Sequence, residues 1–261
     1  MEKFIYEKIT KKKEFSDLPR KDVELAWKNF EKRQVGEEEK IRLTRDLLRK
    51  VFSVFASRKL FSLKNQEPEW ILKKHISTKE RMINLNSYRE LYSRILKNFE
   101  NKKITIFDLG AGVNGFSYNF LKEVNKNIDY IAIESIGQLV DLMNYYFKTR
   151  GIESAHALHM SLFELEKLKK YLRQTKEKKI LFLFKILDSL EMLEKDYSKK
   201  LLLEIAPLAD KIVLSFATRS LIRKSRFRVS RNWIICFIRE NFKITDEFEL
   251  SGEKYILFEN K

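Results

Sequence analysis

The chain has 261 residues, 44% of them hydrophobic, and a formal net charge of +16. That length holds one large domain or two modest ones with a real core, and only 3 Pro and 7 Gly argue against long disordered linkers. A single Cys and 3 His argue against an internal disulfide, a cysteine-rich zinc site and a histidine metal cluster.

The positive charge is spread along the chain. Lys and Arg exceed Asp and Glu by 9 over residues 1–100 and by 7 over the remainder. A surface of this sign attracts polyanions before any specific contact forms. The plain alternative is a lysine-rich chain that keeps itself soluble. The start, Met1-Glu2-Lys3-Phe4, has no apolar leader, and no apolar run reaches the roughly 18 residues of a membrane span. A cytoplasmic location is the expectation. Cys236 lies in the apolar run 233–238 and reads as a buried structural thiol.

Residues 1–100 read as all helical, with four or five helices. Ile41, Leu48, Val51, Phe52 and Phe55 share one face. So do Leu85, Tyr88, Tyr92, Ile95 and Phe99 in a helix over 78–97, with Thr78 as its N-cap. Pro19 and Pro68 stand at helix starts. After residue 100 strands and helices alternate: strand 104–109, helix 116–125, strand 130–134, helix 137–150, a short strand 155–159 and helix 162–173. Strand 180–186, helix 189–204, strand 211–216 and helix 230–241 follow. Segments 243–250 and 254–259 form a hairpin about Ser251-Gly252. The pattern predicts an α/β fold, a mostly parallel sheet with an antiparallel edge.

The first strand runs into Asp108-Leu109-Gly110-Ala111-Gly112-Val113-Asn114-Gly115. A strand, a glycine turn and a helix let a ligand approach the backbone closely. Gly110, Gly112 and Gly115 satisfy the dinucleotide spacing, which alone is a weak signal. Asp108 suits a ligand with an ammonium group better than a pyrophosphate. Glu134, at the tip of the second strand, suits ribose hydroxyls. The pair is the arrangement expected for S-adenosylmethionine, and spacing alone leaves NAD open. A turn-capping Asp108 and a solvated Glu134 are the structural alternatives.

Three segments together resemble the aminoglycoside-resistance 16S rRNA (guanine-N7) methyltransferases. They are the glycine turn, His75-Ile76-Ser77-Thr78-Lys79-Glu80-Arg81, and Leu183-Phe184-Lys185 with 214–221 (Leu-Ser-Phe-Ala-Thr-Arg-Ser-Leu). The likeness covers roughly residues 70–235. It implies a Rossmann-like class I methyltransferase sheet over 101–261 and an all-helical N-terminal RNA-binding domain over 1–100. It implies S-adenosyl-L-methionine as cofactor, with Arg81 on its methionine carboxylate. Asp108 with Gly110, Ala111, Gly112 and Asn114 would lie at its amino end, Glu134 at its ribose, and Ser161 and Leu162 at its adenine. The family's first motif continues Cys-Gly-x-Asn-Pro-Leu, where this chain has Ala111 and Gly115-Phe116.

Residues 211–239 hold eight basic residues and no acidic one. Arg219, Arg223, Lys224, Arg226, Arg228 and Arg231 crowd the segment after the fifth strand, with Phe227 as a candidate base-stacking ring. Loops there border the ligand crevice of a parallel sheet. Candidate RNA contacts are His75, Lys79, Arg223, Lys224, Arg226 and Arg228, His75 reading equally as a core residue. Lys185 and Arg219 are the candidate catalytic, substrate-positioning residues. His156 and His159 alternate on a short strand with no third ligand. The partner implied is ribosomal RNA or the assembled small subunit, met by a monomer. A small-molecule, protein or other RNA methyltransferase and a non-catalytic RNA-binding factor on the same fold are the competing readings.

Overall fold

The computed structural model describes residues 1–53, 67–75, 77–84, 86–218 and 231–261. Phe55, Ile76, Leu85 and the 219–230 segment with Arg219, Arg223, Lys224, Arg226, Phe227 and Arg228 lie outside the described residues.

A seven-stranded sheet organises the described residues, in the order β3-β2-β1-β4-β5-β7-β6. Its strands are β1 (Ile104–Leu109), β2 (Ile128–Glu134), β3 (Ala155–His159), β4 (Lys178–Phe184), β5 (Lys211–Ala217), β6 (Phe242–Leu250) and β7 (Glu253–Asn260). β1 to β5 pair in parallel, and β7 inserts antiparallel between β5 and β6. The central strands are mostly apolar because helices cover both faces; every residue of β1 and of β5 is buried, Thr105, Asp108, Lys211 and Ser215 included. β6 instead alternates, as an edge strand with one wet face does. The β6–β7 hairpin closes with Leu250 opposite Glu253. Ser251 (φ +50°) and Gly252 (φ +73°) both adopt the left-handed conformation of a tight two-residue turn.

Strand order reverses between β1 and β4, which share an edge while β2 and β5 lie outward. The loops after β1 and β4 therefore diverge and leave a crevice at the carboxyl ends. The helices on the sheet are α6 (Tyr118–Val124), α7 (Gly137–Thr149), α8 (Leu165–Gln174), α9 (Leu187–Leu193), α10 (Tyr197–Ile205) and α11 (Asn232–Asn241). α8 shows how they attach: Leu165, Leu168 and Leu172 form one buried stripe at helical spacing.

Before β1 the described chain is helical or turn. It contains α1 (Lys3–Thr10), α2 (Arg20–Lys28), α3 (Glu37–Leu48) running into a π-helical turn Arg49–Ser53, α4 (Pro68–Lys74) and α5 (Ser87–Ile95). Pro19 precedes α2 and Pro68 opens α4, where a missing N–H is harmless. Among the described residues a cluster of buried apolar side chains runs from Ile5 to Phe258, so the helical segment shares its core with the sheet. Polar contacts stitch the two together. Asn29 Nδ2 donates to Leu193 O at 3.1 Å, Lys211 Nζ to Ile95 O at 2.7 Å, and Arg94 forks onto Asp246 at 2.6 and 2.8 Å.

Four expectations need correction. Thr78 is no helix N-cap: its hydroxyl donates to Leu72 O at 2.7 Å, residues 77–83 form turns and bends, and α5 starts only at Ser87. The helix expected over 189–204 is two helices. Asp196 turns left-handed (φ +62°), and the Glu191 carboxylate accepts the N–H groups of Asp196 and Ser198 at 2.7 and 2.9 Å. β4 stops at Phe184 because Lys185 has φ +57°, a conformation that leaves the strand. Cys236 is exposed, on the outer side of α11, whereas Ile234 and Ile238 face the core.

Candidate functional site

A cleft of about 760 Å³ of atom-free space, mouth included, lies at the strand-order reversal. Its floor is the β1 turn. Gly110 N and Ala111 N both donate to Ile133 O, at 2.8 and 3.2 Å, folding the chain sharply back on β2. Gly110 (φ +72°) and Gly112 (φ +56°) occupy the left-handed region. A Cβ on Gly110 would lie 2.6 Å from Ile186 Cδ1 and 2.8 Å from Cγ1. Gly110→Ala is therefore expected to cost about 1–3 kcal/mol from backbone strain and overpacking, read as a lower denaturant midpoint at unchanged m. Gly115 has a different job. It sits in the 3₁₀ turn Asn114–Ser117, where a Cβ would meet Met143 Sδ at 2.7 Å, so it seats α7 rather than facing the cleft.

The acidic pair takes up different depths. Glu134 lines the cleft, and its two carboxylate oxygens accept Gly112 N at 2.8 Å and Ile136 N at 2.9 Å. Burial raises its pKa, with those N–H groups opposing the rise. Asp108 sits one layer behind the lining residues. Its Oδ2 accepts Tyr130 Oη at 2.6 Å and Asn114 Nδ2 at 2.7 Å, while its buried Oδ1 has no hydrogen-bond partner within the protein. Burial pushes this carboxyl up as well, against the two hydrogen bonds.

Asn114 relays from Asp108 to Arg81: its Oδ1 accepts Arg81 Nη1 at 3.1 Å. Arg81 lines the cleft but is 98% enclosed, and its fork grips Glu253 through Nε–Oε1 at 2.9 Å and Nη2–Oε2 at 2.7 Å. Lys185 Nζ lies 2.7 Å from the same Glu253 Oε1 and donates to Ser77 O at 2.5 Å. Ser215 Oγ donates to Glu253 Oε2 at 3.1 Å. Burial would raise the Glu253 pKa, but Arg81 and Lys185 outweigh it and hold the carboxyl at about 2. Two cations thus share one anion. The cluster stands beside the cleft, with Arg81 within electrostatic reach of Asp108 and Lys185 within reach of Glu80.

Of the residues singled out in the sequence, Arg81, Gly110, Ala111, Gly112, Asn114, Glu134, Leu162 and Lys185 converge on this cleft. Ser161 is buried behind its wall, donating to Asp22 Oδ1 at 2.5 Å. Several expected roles change. Lys185 has its ammonium committed to Glu253 and Ser77, which makes it a brace for the anion. His75 is buried with Nδ1 2.7 Å from Ser77 Oγ, which ties its ring to the neighbouring turn. Arg231 pairs with Asp188 at 2.5 Å and donates to Ala217 O at 3.1 Å, which ties down the start of α11. Lys79 is half-exposed near the cleft-lining turn. Among the described residues no group of three or more His, Cys, Asp or Glu is placed to hold a metal.

Sequence reasoning missed Glu253 and Asp22. Glu253 opens β7, two residues before the fully buried Tyr255 on the same strand face, a period-2 signal. Asp22 shares helical spacing with the buried Leu25 and Ala26 of α2, so it falls on the apolar face.

No protein-family model matches the chain, and no curated protein matches it in sequence. Solved structures do match in shape. The 16S rRNA methyltransferase RmtF in complex with S-adenosyl-L-homocysteine aligns at 18% identity over 100% of both chains, with a TM-score of 0.77. The 16S rRNA methylase RmtB aligns at 16% identity over 99% of this chain and 98% of its own, with a TM-score of 0.75. An rRNA methylase from Escherichia coli aligns at 17% identity over 98% and 100%, with a TM-score of 0.75. At such identities the shared property is the fold: from end to end, this chain has the fold of these rRNA methyltransferases.

Proposed function

We propose that the chain is an S-adenosyl-L-methionine-dependent methyltransferase acting on 16S ribosomal RNA of the small subunit, at guanine N7 of the decoding site. The observation that carries the cofactor reading is the polarity of the cleft. The Arg81–Lys185–Glu253 cluster suits a carboxylate. The unpartnered Asp108 Oδ1 close by suits an ammonium, and Glu134 at the tip of β2 suits vicinal hydroxyls. An amino-acid head on a nucleoside carries these three groups. The shape shared with RmtF in its S-adenosyl-L-homocysteine complex supports the same reading.

The bound cofactor would supply a methyl group on a sulfonium, open to in-line displacement. The chain's own residues then bind and align. Arg81 and Lys185, held by Glu253, fix the carboxylate end; Asn114 keeps Asp108 in register; Glu134 orients the ribose. Guanine N7 already has a lone pair and no proton to lose. Rate then comes from proximity, and no general base is required. Arg219, Arg223, Lys224, Arg226 and Arg228 follow β5 in sequence and, with Lys79 and the helical segment 1–100, form the proposed RNA-facing surface. An acceptor in folded RNA has to be unstacked to reach the cleft.

The test is incubation of small subunits, and separately of naked 16S rRNA, with methyl-labelled cofactor, followed by mapping of the modified base. Label at a single guanine that becomes sensitive to N7-directed cleavage supports the proposal; an unlabelled RNA overturns it. In the same assay, neutralising Arg223, Arg226 and Arg228 together is expected to lower RNA affinity at least tenfold and to flatten its salt dependence.

A further inference from the structure

We propose that Asp22, carried into the cleft by α2 of the helical segment, selects the adenine base of the cofactor by accepting a hydrogen bond from its exocyclic amine, with Ser161 setting the carboxylate's orientation. The inference rests on the cofactor reading above and adds a specificity-determining residue from the other end of the chain.

Asp22 is 1% exposed yet lines the cleft. Ser161 Oγ accepts Phe163 N at 3.0 Å, so its own proton goes to Asp22 Oδ1 at 2.5 Å. The second oxygen, Oδ2, is buried with no hydrogen-bond partner. An enclosed carboxylate oxygen left unpaired is costly, and a donor on a ligand in the cleft would remove that cost. The surroundings specify that ligand. Ile136, Leu162, Phe163 and Leu193 provide apolar cleft walls, and Glu134 stands on the β2 side where the ribose would lie. A flat heterocycle with a donor on its edge fits an apolar slot holding one acceptor.

The charge state agrees with this role. Burial raises the Asp22 pKa to about 6, the Ser161 and Ser135 hydroxyls oppose the rise, and the Glu134 and Glu164 carboxylates add to it. At neutral pH the group is mainly ionised and accepts only. An amine on the base is then favoured, and a carbonyl in its place is repelled.

Calorimetry on the full chain distinguishes the possibilities, using S-adenosyl-L-homocysteine and S-inosyl-L-homocysteine, in which a carbonyl replaces the amine. The wild type is expected to bind the adenosyl compound at least tenfold tighter. In Asp22→Asn the Ser161 hydroxyl still donates to the amide oxygen, which turns the NH₂ toward the base. Affinity for the adenosyl compound falls tenfold or more, and the preference shrinks or reverses. The same variant should melt no lower than wild type, since a raised carboxyl pKa means that the charge destabilises the fold at neutral pH. Ser161→Ala keeps the acid but loosens it, and should reduce discrimination without abolishing binding. Equal binding of the two compounds by wild type, or an unchanged preference in both variants, overturns the inference while leaving the cofactor reading intact. A wild type that binds neither compound overturns the cofactor reading and this inference with it.

Discussion

Glu253→Ala is expected to lower stability by about 3–5 kcal/mol, because it leaves the Arg81 guanidinium and the Lys185 ammonium buried together without their anion. In a chain of this size that corresponds to a fall in Tm of roughly 10 °C. Glu253→Gln keeps much of the shape and loses the charge, so it should fall between. The pH dependence supplies a second reading. The folded carboxyl is held at about 2, below its ordinary 4.5. Its contribution is therefore fully present above about pH 5 and is lost as pH falls toward 2. Wild type should show that loss in an acid titration of stability, and Glu253→Gln should lack it. A Gln variant with the wild-type acid profile would remove Glu253 from its central place.

Arg81→Ala is expected to weaken binding of S-adenosyl-L-homocysteine at least a hundredfold while disturbing the fold less than loss of Glu253. Lys185 remains at 2.7 Å to neutralise Glu253, so no buried charge is stranded. The cluster loses one positive charge, and a carboxylate loses a charge-assisted donor. Asn114 also loses its Arg81 partner at 3.1 Å, which loosens the grip on Asp108. Arg81→Lys restores charge without the planar fork and should recover only part of the affinity. Isothermal titration reads all three proteins, and an unchanged affinity in Arg81→Ala would discard this account of the cleft.

The two variants bear on what was legible before the structure. The sheet was readable because strands covered on both faces are mostly apolar, as Ile104–Leu109 is apart from Thr105 and Asp108. The hairpin was readable because Ser251-Gly252 supplies two left-handed residues between alternating runs. The glycine turn and Glu134 were readable as a local motif at one strand end. Glu253 and Asp22 carry only a periodic mark, one residue pair deep, and no motif. Glu253 follows a Ser-Gly turn and reads as a solvated loop acid; Asp22 follows Arg20-Lys21 and reads as an ordinary first-turn acid. Their partners lie 172 and 139 positions away, at Arg81 and Ser161, and only the folded topology joins them. The break at Asp196 was invisible for a related reason: it depends on Glu191 capping the next helix, with no Gly or Pro at the break.

The bond between positions 81 and 253 also gives the molecule an order of assembly. Synthesis delivers the guanidinium early and its counter-charge only with the closing hairpin, whose β7 pairs with β5 and leaves β6 as the sheet edge. Until that strand docks, the nascent chain presents an uncompensated cation where the carboxylate of a cofactor would be received, and β5 has a bare edge. The anion that holds Arg81 is thereby tied to completion of the sheet: a chain halted before residue 242 would have the glycine turn and both strand-tip acids but not Glu253.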